Sequence, residues 1–166
     1  MRKNIFILLC FCTSFSFAQG ITNFDSIKLE NAEDCRAADP YALEASNYLF
    51  STPFQKDDIN RLKSLQFIIK WMTATPDYQF SLDEVAGKLL KGSDDLLGLY
   101  MGAMTKYVLE NKNRTVDAKT VKLNAITILL NYTDNPANNV KSTKNLKKLS
   151  EAKAKGQLEQ ALETGK

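Results

Sequence analysis

Carboxylates are the only side chains here that occur in arrangements suggesting catalysis, because the 166-residue chain contains no histidine. That absence removes Ser-His-Asp and Cys-His nucleophilic catalysis, the usual zinc sites and imidazole pH switching together. Three adjacent acidic pairs remain, Asp57/Asp58, Asp83/Glu84 and Asp94/Asp95, and paired carboxylates can cleave glycosidic bonds. Each pair stands where an apolar period of three and four begins. At such a position a carboxylate offsets the free N–H groups and dipole of a helix start. Neighbouring residues on a helix also point in different directions, so the two members of a pair would not face one substrate. Capping is therefore the expected role of all three, and no catalytic, cofactor-binding or metal-ligating residue is assigned.

Cysteine chemistry is equally thin. Of three cysteines, Cys10 and Cys12 lie in the N-terminal apolar run, leaving Cys35. One cysteine cannot form an internal disulfide. It is expected to be a small buried hydrophobe, the alternatives being an intermolecular disulfide or a free thiol. Asn113-Arg114-Thr115 and Asn131-Tyr132-Thr133 match the glycosylation sequon, but the second falls at a predicted helix end and no glycan is assigned.

The first eighteen residues read as a signal peptide. Arg2 and Lys3 are followed by an apolar run from Ile5 to Cys12 and by Ser16-Phe17-Ala18, which predicts cleavage between Ala18 and Gln19 and export to the periplasm or beyond. The run is too short to span a membrane. The residues before Cys10 and Cys12 are not the small ones a lipoprotein signal favours. Loss of Arg2 and Lys3 takes the 22 basic residues to 20, against 19 acidic ones. The distribution is uneven: residues 19–58 carry eight acids and three bases, residues 140–166 seven lysines and three glutamates. Head and tail could complement one another within or between molecules. The tail lacks arginine and aromatics, so it is not a nucleic-acid footprint.

The elements that would position these residues are all helical. The stretch from Asp57 to Thr75 has Ile59, Leu62, Leu65, Ile68, Ile69 and Met72 at helical spacing. It is apolar round most of its circumference from Leu65 onward, which predicts a central helix covered from several sides, with the lone Trp71 in the core. Asp39-Pro40 predicts a cap and first turn for a helix ending near Phe50, before Ser51-Thr52-Pro53. Ser81 with Glu84 forms a capping box for a helix to about Lys91. Ser93 caps a helix to about Lys112, with Leu96, Leu97, Tyr100, Met101, Ala103, Met104, Tyr107 and Val108 in one stripe. Asp117 opens another to about Tyr132, stopped by Asp134-Asn135-Pro136. A weaker Lys-rich helix follows from about 142, with Leu146 and Leu149, and Leu158 and Leu162 lie beyond Gly156. Residues 19–38 read as a lead-in, with Phe24, Ile27 and Leu29 extended or in a short strand and a helical turn over 31–38. The domain proper spans 39–166: an all-α, compact bundle of about five to six short helices, mostly antiparallel neighbours.

Gly98 and Gly102 form a G-x-x-x-G, but charges interrupt the apolar run a membrane dimer would need. Two glycines cost a helix interior roughly 1 kcal/mol each against alanine, so this side must touch either a neighbouring helix or a partner chain. The Lys-rich tail is the second candidate partner surface. The segments STPFQKDDINRLKSLQFIIKWMTATPDYQF and DDLLGLYMGAMTKYVLENK resemble an uncharacterised family of small exported all-helical bacterial proteins. That resemblance implies an exported helical domain and carries no catalytic residues. The functional expectation is a non-catalytic binding or structural role in the cell envelope. The alternatives are a carrier of an apolar small molecule, lined by Met101 and Met104, and an enzyme built on carboxylates.

Overall fold

A computed structural model describes residues 21–82, 87, 93–112 and 117–164. These residues form an all-α bundle, with seven α-helices and no strand among them: α1 (Ala32–Ala37), α2 (Asp39–Ser51), α3 (Ile59–Ala74), α4 (Asp94–Glu110), α5 (Ala118–Thr133), α6 (Lys144–Ala154) and α7 (Leu158–Thr164). The signal-peptide segment, the Ser81/Glu84 capping box with its helix and the Asn113 sequon fall wholly or partly outside the described residues.

The helix starts follow the cap chemistry. Ser93 accepts from the Leu96 N–H, Asp117 from Thr120 and Thr143 from Leu146. Asp94 and Asp95 occupy the first turn of α4, where their charge suits the dipole. Two expected caps are corrected. Asp58 rather than Asp57 caps α3, its Oδ1 accepting from Asn60 N at 2.8 Å and Arg61 N at 3.3 Å. Adjacent acids are equally able to cap, and the Tyr48 hydroxyl, donating to Asp58 Oδ2 at 2.9 Å, selects the second. Asp39 caps nothing. Ala38 is the junction shared by α1 and α2, and the Asp39 carboxylate accepts from Trp71 Nε1. Asp58→Ala is therefore expected to lower stability by about 0.5–2 kcal/mol, against little for Asp57→Ala. Paired urea melts check this, and equal losses would return the cap to Asp57.

The core centres on α4, which packs against α2, α3 and α5, with Leu96, Leu99, Tyr100, Ala103, Met104 and Val108 buried. This moves the organising role away from α3. Trp71 of α3 is fully buried as expected, but α3 turns Arg61, Ser64, Phe67, Ile68 and Trp71 inward, while Ile59, Leu62 and Ile69 are 65%, 51% and 41% exposed. The expectation that α3 is covered on most sides fails. One apolar flank of it faces out.

The described residues of the lead-in, 21–38, contain no strand. Residues Phe24–Ser26 form a 3-10 turn. Phe24 stacks on Phe67 with centroids 4.7 Å apart, and Thr22 bonds Glu44 of α2 through its N–H and hydroxyl. The glycines of α4 are spent inside the fold. A Cβ on Gly98 would stand 2.7 Å from Leu65 Cδ2 of α3, and one on Gly102 would stand 2.8 Å from Leu49 Cδ1 of α2. Both are buried, and the G-x-x-x-G is a close approach of α4 to α3 and α2.

Candidate functional site

Beside that open flank, the sequence around Thr52-Pro53 builds a cleft. Proline cannot continue α2, so the chain leaves at Thr52 in extended conformation and crosses to α5. The Phe54 N–H donates to the Asn138 carbonyl at 2.9 Å. Tyr132 of α5 donates its hydroxyl to the Thr52 carbonyl at 2.7 Å. Burial pushes the Tyr132 phenol above its ordinary range. The Tyr48 phenol is raised by burial first and by its bond to Asp58 second.

The Asp58 cap fixes the first turn of α3 and so places Arg61 against this loop. Arg61 is 5% exposed. Its Nη1 donates to the Thr52 Oγ1 at 3.0 Å and to the Thr52 carbonyl at 3.3 Å. The guanidinium lies 5.3 Å from the centroid of the Phe54 ring and 5.8 Å from that of Tyr132. Among the described residues no carboxylate stands within ion-pair reach of it. The two rings and one threonine stabilise the cation in part, since a ring face contributes about 0.5–2 kcal/mol depending on desolvation. A buried charge ordinarily has an opposite charge beside it, and the described residues supply none at ion-pair distance here.

Arg61 lines a cleft of about 60 Å³ whose apolar walls are Leu49, Phe54, Leu62, Leu65 and Leu99. Gly98 contributes bare backbone there, which lets Leu65 lean across as a wall. The polar groups at the rim are Gln55, Lys56 and Asp95, all exposed. Leu62 belongs both to the cleft and to the open flank of α3, so the two are continuous.

Other hollows offer less. One of about 370 Å³ borders Lys106, Asn131, Asn135 and Asn138. Its polar groups are bound within the fold: Lys106 to Asn47 and Glu110, Asn131 to Lys153, Asn135 to the Ala137 N–H and Asn138 to the Tyr132 carbonyl. The space beside Met104 amounts to about 10 Å³, at the threshold for one water. Met104 fills core and Met101 is half-buried.

The described acidic groups do not converge. Among the described residues no three of His, Cys, Asp and Glu stand together as a metal could require. Burial raises the Asp39 carboxyl, opposed by the bond from Trp71. Asp77 takes a two-pronged bond from Arg36, at 2.7 and 2.9 Å, and is held below its ordinary range. That bond helps the fold fully above the ordinary carboxylate pKa and ceases to help as pH falls through the lowered value. Cys35 is buried, and its thiol is raised by burial and then by Asp34, Asp39 and Asp77. A buried thiol with a raised pKa is inert, which fits the small-hydrophobe reading.

At the basic end, Lys119 bonds Glu159 and Glu163, and Lys153 reaches Asp134. No ion pair among the described residues joins the acidic head to this tail. The sequence signal for the cleft was faint. Arg61 sits three residues before Ser64 and seven before Ile68, in phase with the buried side, but as a polar residue it reads as solvent-facing. No helix of the described residues is long and apolar enough to cross a membrane. The chain matches no family model, no curated protein and no solved structure.

Proposed function

We propose that this chain is an exported, non-catalytic binding domain of the cell envelope, which docks a partner protein along the outward flank of α3. One observation carries the reading. Ile59, Leu62 and Ile69 stand exposed on one side of a helix whose other side is buried, and this stripe runs into the cleft at Arg61. Large aliphatic side chains grouped beside a groove mark interaction surfaces. Export rests on the N-terminal segment of the sequence, and the resemblance to small exported helical proteins rests on residues 51–80 and 94–112. The carrier reading has little support from the space of about 10 Å³ beside Met104. The enzyme reading has little from carboxylates that stand in helix first turns or bond within the fold.

The test is a double variant, Ile59→Ser with Leu62→Ser. Both positions are surface ones, so stability should stay within about 0.5 kcal/mol of wild type per site. In gel filtration of gently extracted native-host envelope, the wild-type chain should elute in a complex and the double variant as the lone chain. A wild-type chain that elutes alone, or a double variant that stays in the complex, would overturn the proposal.

A further inference from the structure

Resting on that docking reading, we infer that the cleft at Arg61 receives a single carboxylate carried on a short aliphatic group of the partner protein, with neighbouring apolar residues of that segment lying along Ile59, Leu62 and Ile69. The argument begins with the cation. Arg61 is more than nine-tenths buried, lines the cleft, and lacks a carboxylate counter-charge among the described residues. Its bonds to Thr52 use Nη1 alone, and a further side-chain bond joins it to the Tyr132 oxygen, which leaves part of the fork for an anion. A guanidinium offers five donors in a fork that matches a carboxylate. Placing the anion there would convert a buried, partly solvated charge into a neutral pair.

Size narrows the occupant. A water needs about 10–15 Å³ on the same measure, so about 60 Å³ holds some four or five water-sized atoms. That suits a carboxyl group with one or two methylenes. It falls well short of the roughly 300–1,000 Å³ that encloses a whole small-molecule ligand. The walls of Leu49, Leu65 and Leu99 suit the methylenes, and the exposed flank of α3 requires something larger than the group in the cleft. A side chain or chain end of a protein meets both needs, and a free small acid meets only the first.

Charge at the rim narrows it further. Lys56 attracts an anion approaching the mouth, while Asp95 stands at the same rim and repels a second one. The fit is to one carboxylate among apolar neighbours, not to an acidic run.

The test uses butyrate as the probe, with butyramide as its uncharged counterpart, followed by nitrogen-edited NMR of the wild-type chain. Butyrate should shift the Arg61 side-chain N–H and the Gly98 and Leu99 amides saturably, with about tenfold tighter binding than butyramide. Equal binding of the two, or no saturable shift at these three positions, overturns the carboxylate assignment whatever the fate of the envelope complex. The source is decided in that complex with Arg61→Gln. This variant should bind butyrate about tenfold more weakly and should be lost from the complex. If Arg61→Gln stays in the complex while butyrate binds wild type, the occupant is a free acid and the inference fails. If Arg61→Gln does not fold, the butyrate comparison on wild type together with Arg61→Lys, which keeps the charge but loses the fork, decides in the same way: retention of Arg61→Lys in the complex at wild-type level overturns the forked pairing. Absence of any wild-type complex counts against the docking reading, and absence of butyrate shifts against the carboxylate, so the two failures are distinct.

Discussion

Trp71→Ala is expected to lower the unfolding free energy by about 3–5 kcal/mol, the range for emptying a large buried aromatic site. Trp71 has no exposed surface. Its ring meets Tyr78 and Phe80 with centroids 5.6 and 5.9 Å away, and its Nε1 donates to the Cys35 carbonyl and to Asp39 Oδ1, both at 3.2 Å. The indole thus ties α3 to the α1–α2 junction and to the segment after α3. Removing it leaves a cavity and strips the half-buried Asp39 of a donor, a second cost on top of the first. Trp71→Phe should retain part of the packing and lose the hydrogen bonds, giving an intermediate value. Urea melts of the three proteins would settle the order. A loss below about 1 kcal/mol for Trp71→Ala would mean that the core is built elsewhere.

Gly102→Leu should cost about 2 kcal/mol. Leucine recovers nearly 1 kcal/mol of helix propensity over glycine, but a Cβ there meets Leu49 Cδ1 at 2.8 Å with Phe50 and Ile68 within 4 Å. Overpacking of this kind typically costs 1–3 kcal/mol, and a leucine extending past a Cβ that already clashes with Leu49 and touches Phe50 and Ile68 puts this site at the upper end. Gly98→Ala should be close to neutral by contrast. Its one obstacle is the end of the Leu65 side chain, which is half-buried beside the cleft and has room to turn. A Gly102→Leu protein as stable as wild type in thermal melts would show that the α2–α4 contact is loose and would return the glycine side to the list of partner surfaces.

The fold was legible wherever a cap and an apolar period agreed. Ser93 with Asp94 and Asp95, and Asp117 with Val121 and Ala125, mark α4 and α5 because a side-chain acceptor followed by a strongly apolar stripe has one structural solution. On α3 the pattern had two. Leu62, Leu65, Ile69 and Met72 form one stripe, and Ser64, Phe67, Ile68 and Trp71 form another. Periodicity reports that a helix has apolar sides and not which of them a neighbour covers. The choice falls to a contact 80 residues apart in sequence: the Tyr132 hydroxyl holds the Thr52 carbonyl, and the loop so fixed captures Arg61. No local pattern encodes that pairing, so the buried arginine, and with it the cleft, was hidden. Asp39 misled for a related reason. Asp-Pro looks like a cap because Pro favours the first turn, but a helix immediately before it left the cap position to Ala38 and freed the carboxylate for Trp71.

The central claim is that the outward side of α3 is where a partner sits, and site-specific photo-crosslinking in the native host tests it most directly. A photoreactive residue in place of Leu62, 51% exposed at the cleft, should give one discrete adduct. The same residue in place of Lys148, exposed on the basic face of α6, should give none. A band at twice the mass of the chain would name a second copy as the occupant and contradict the partner-protein reading. An adduct from position 148 with none from position 62 would move the binding surface to the Lys-rich helix and refute the account.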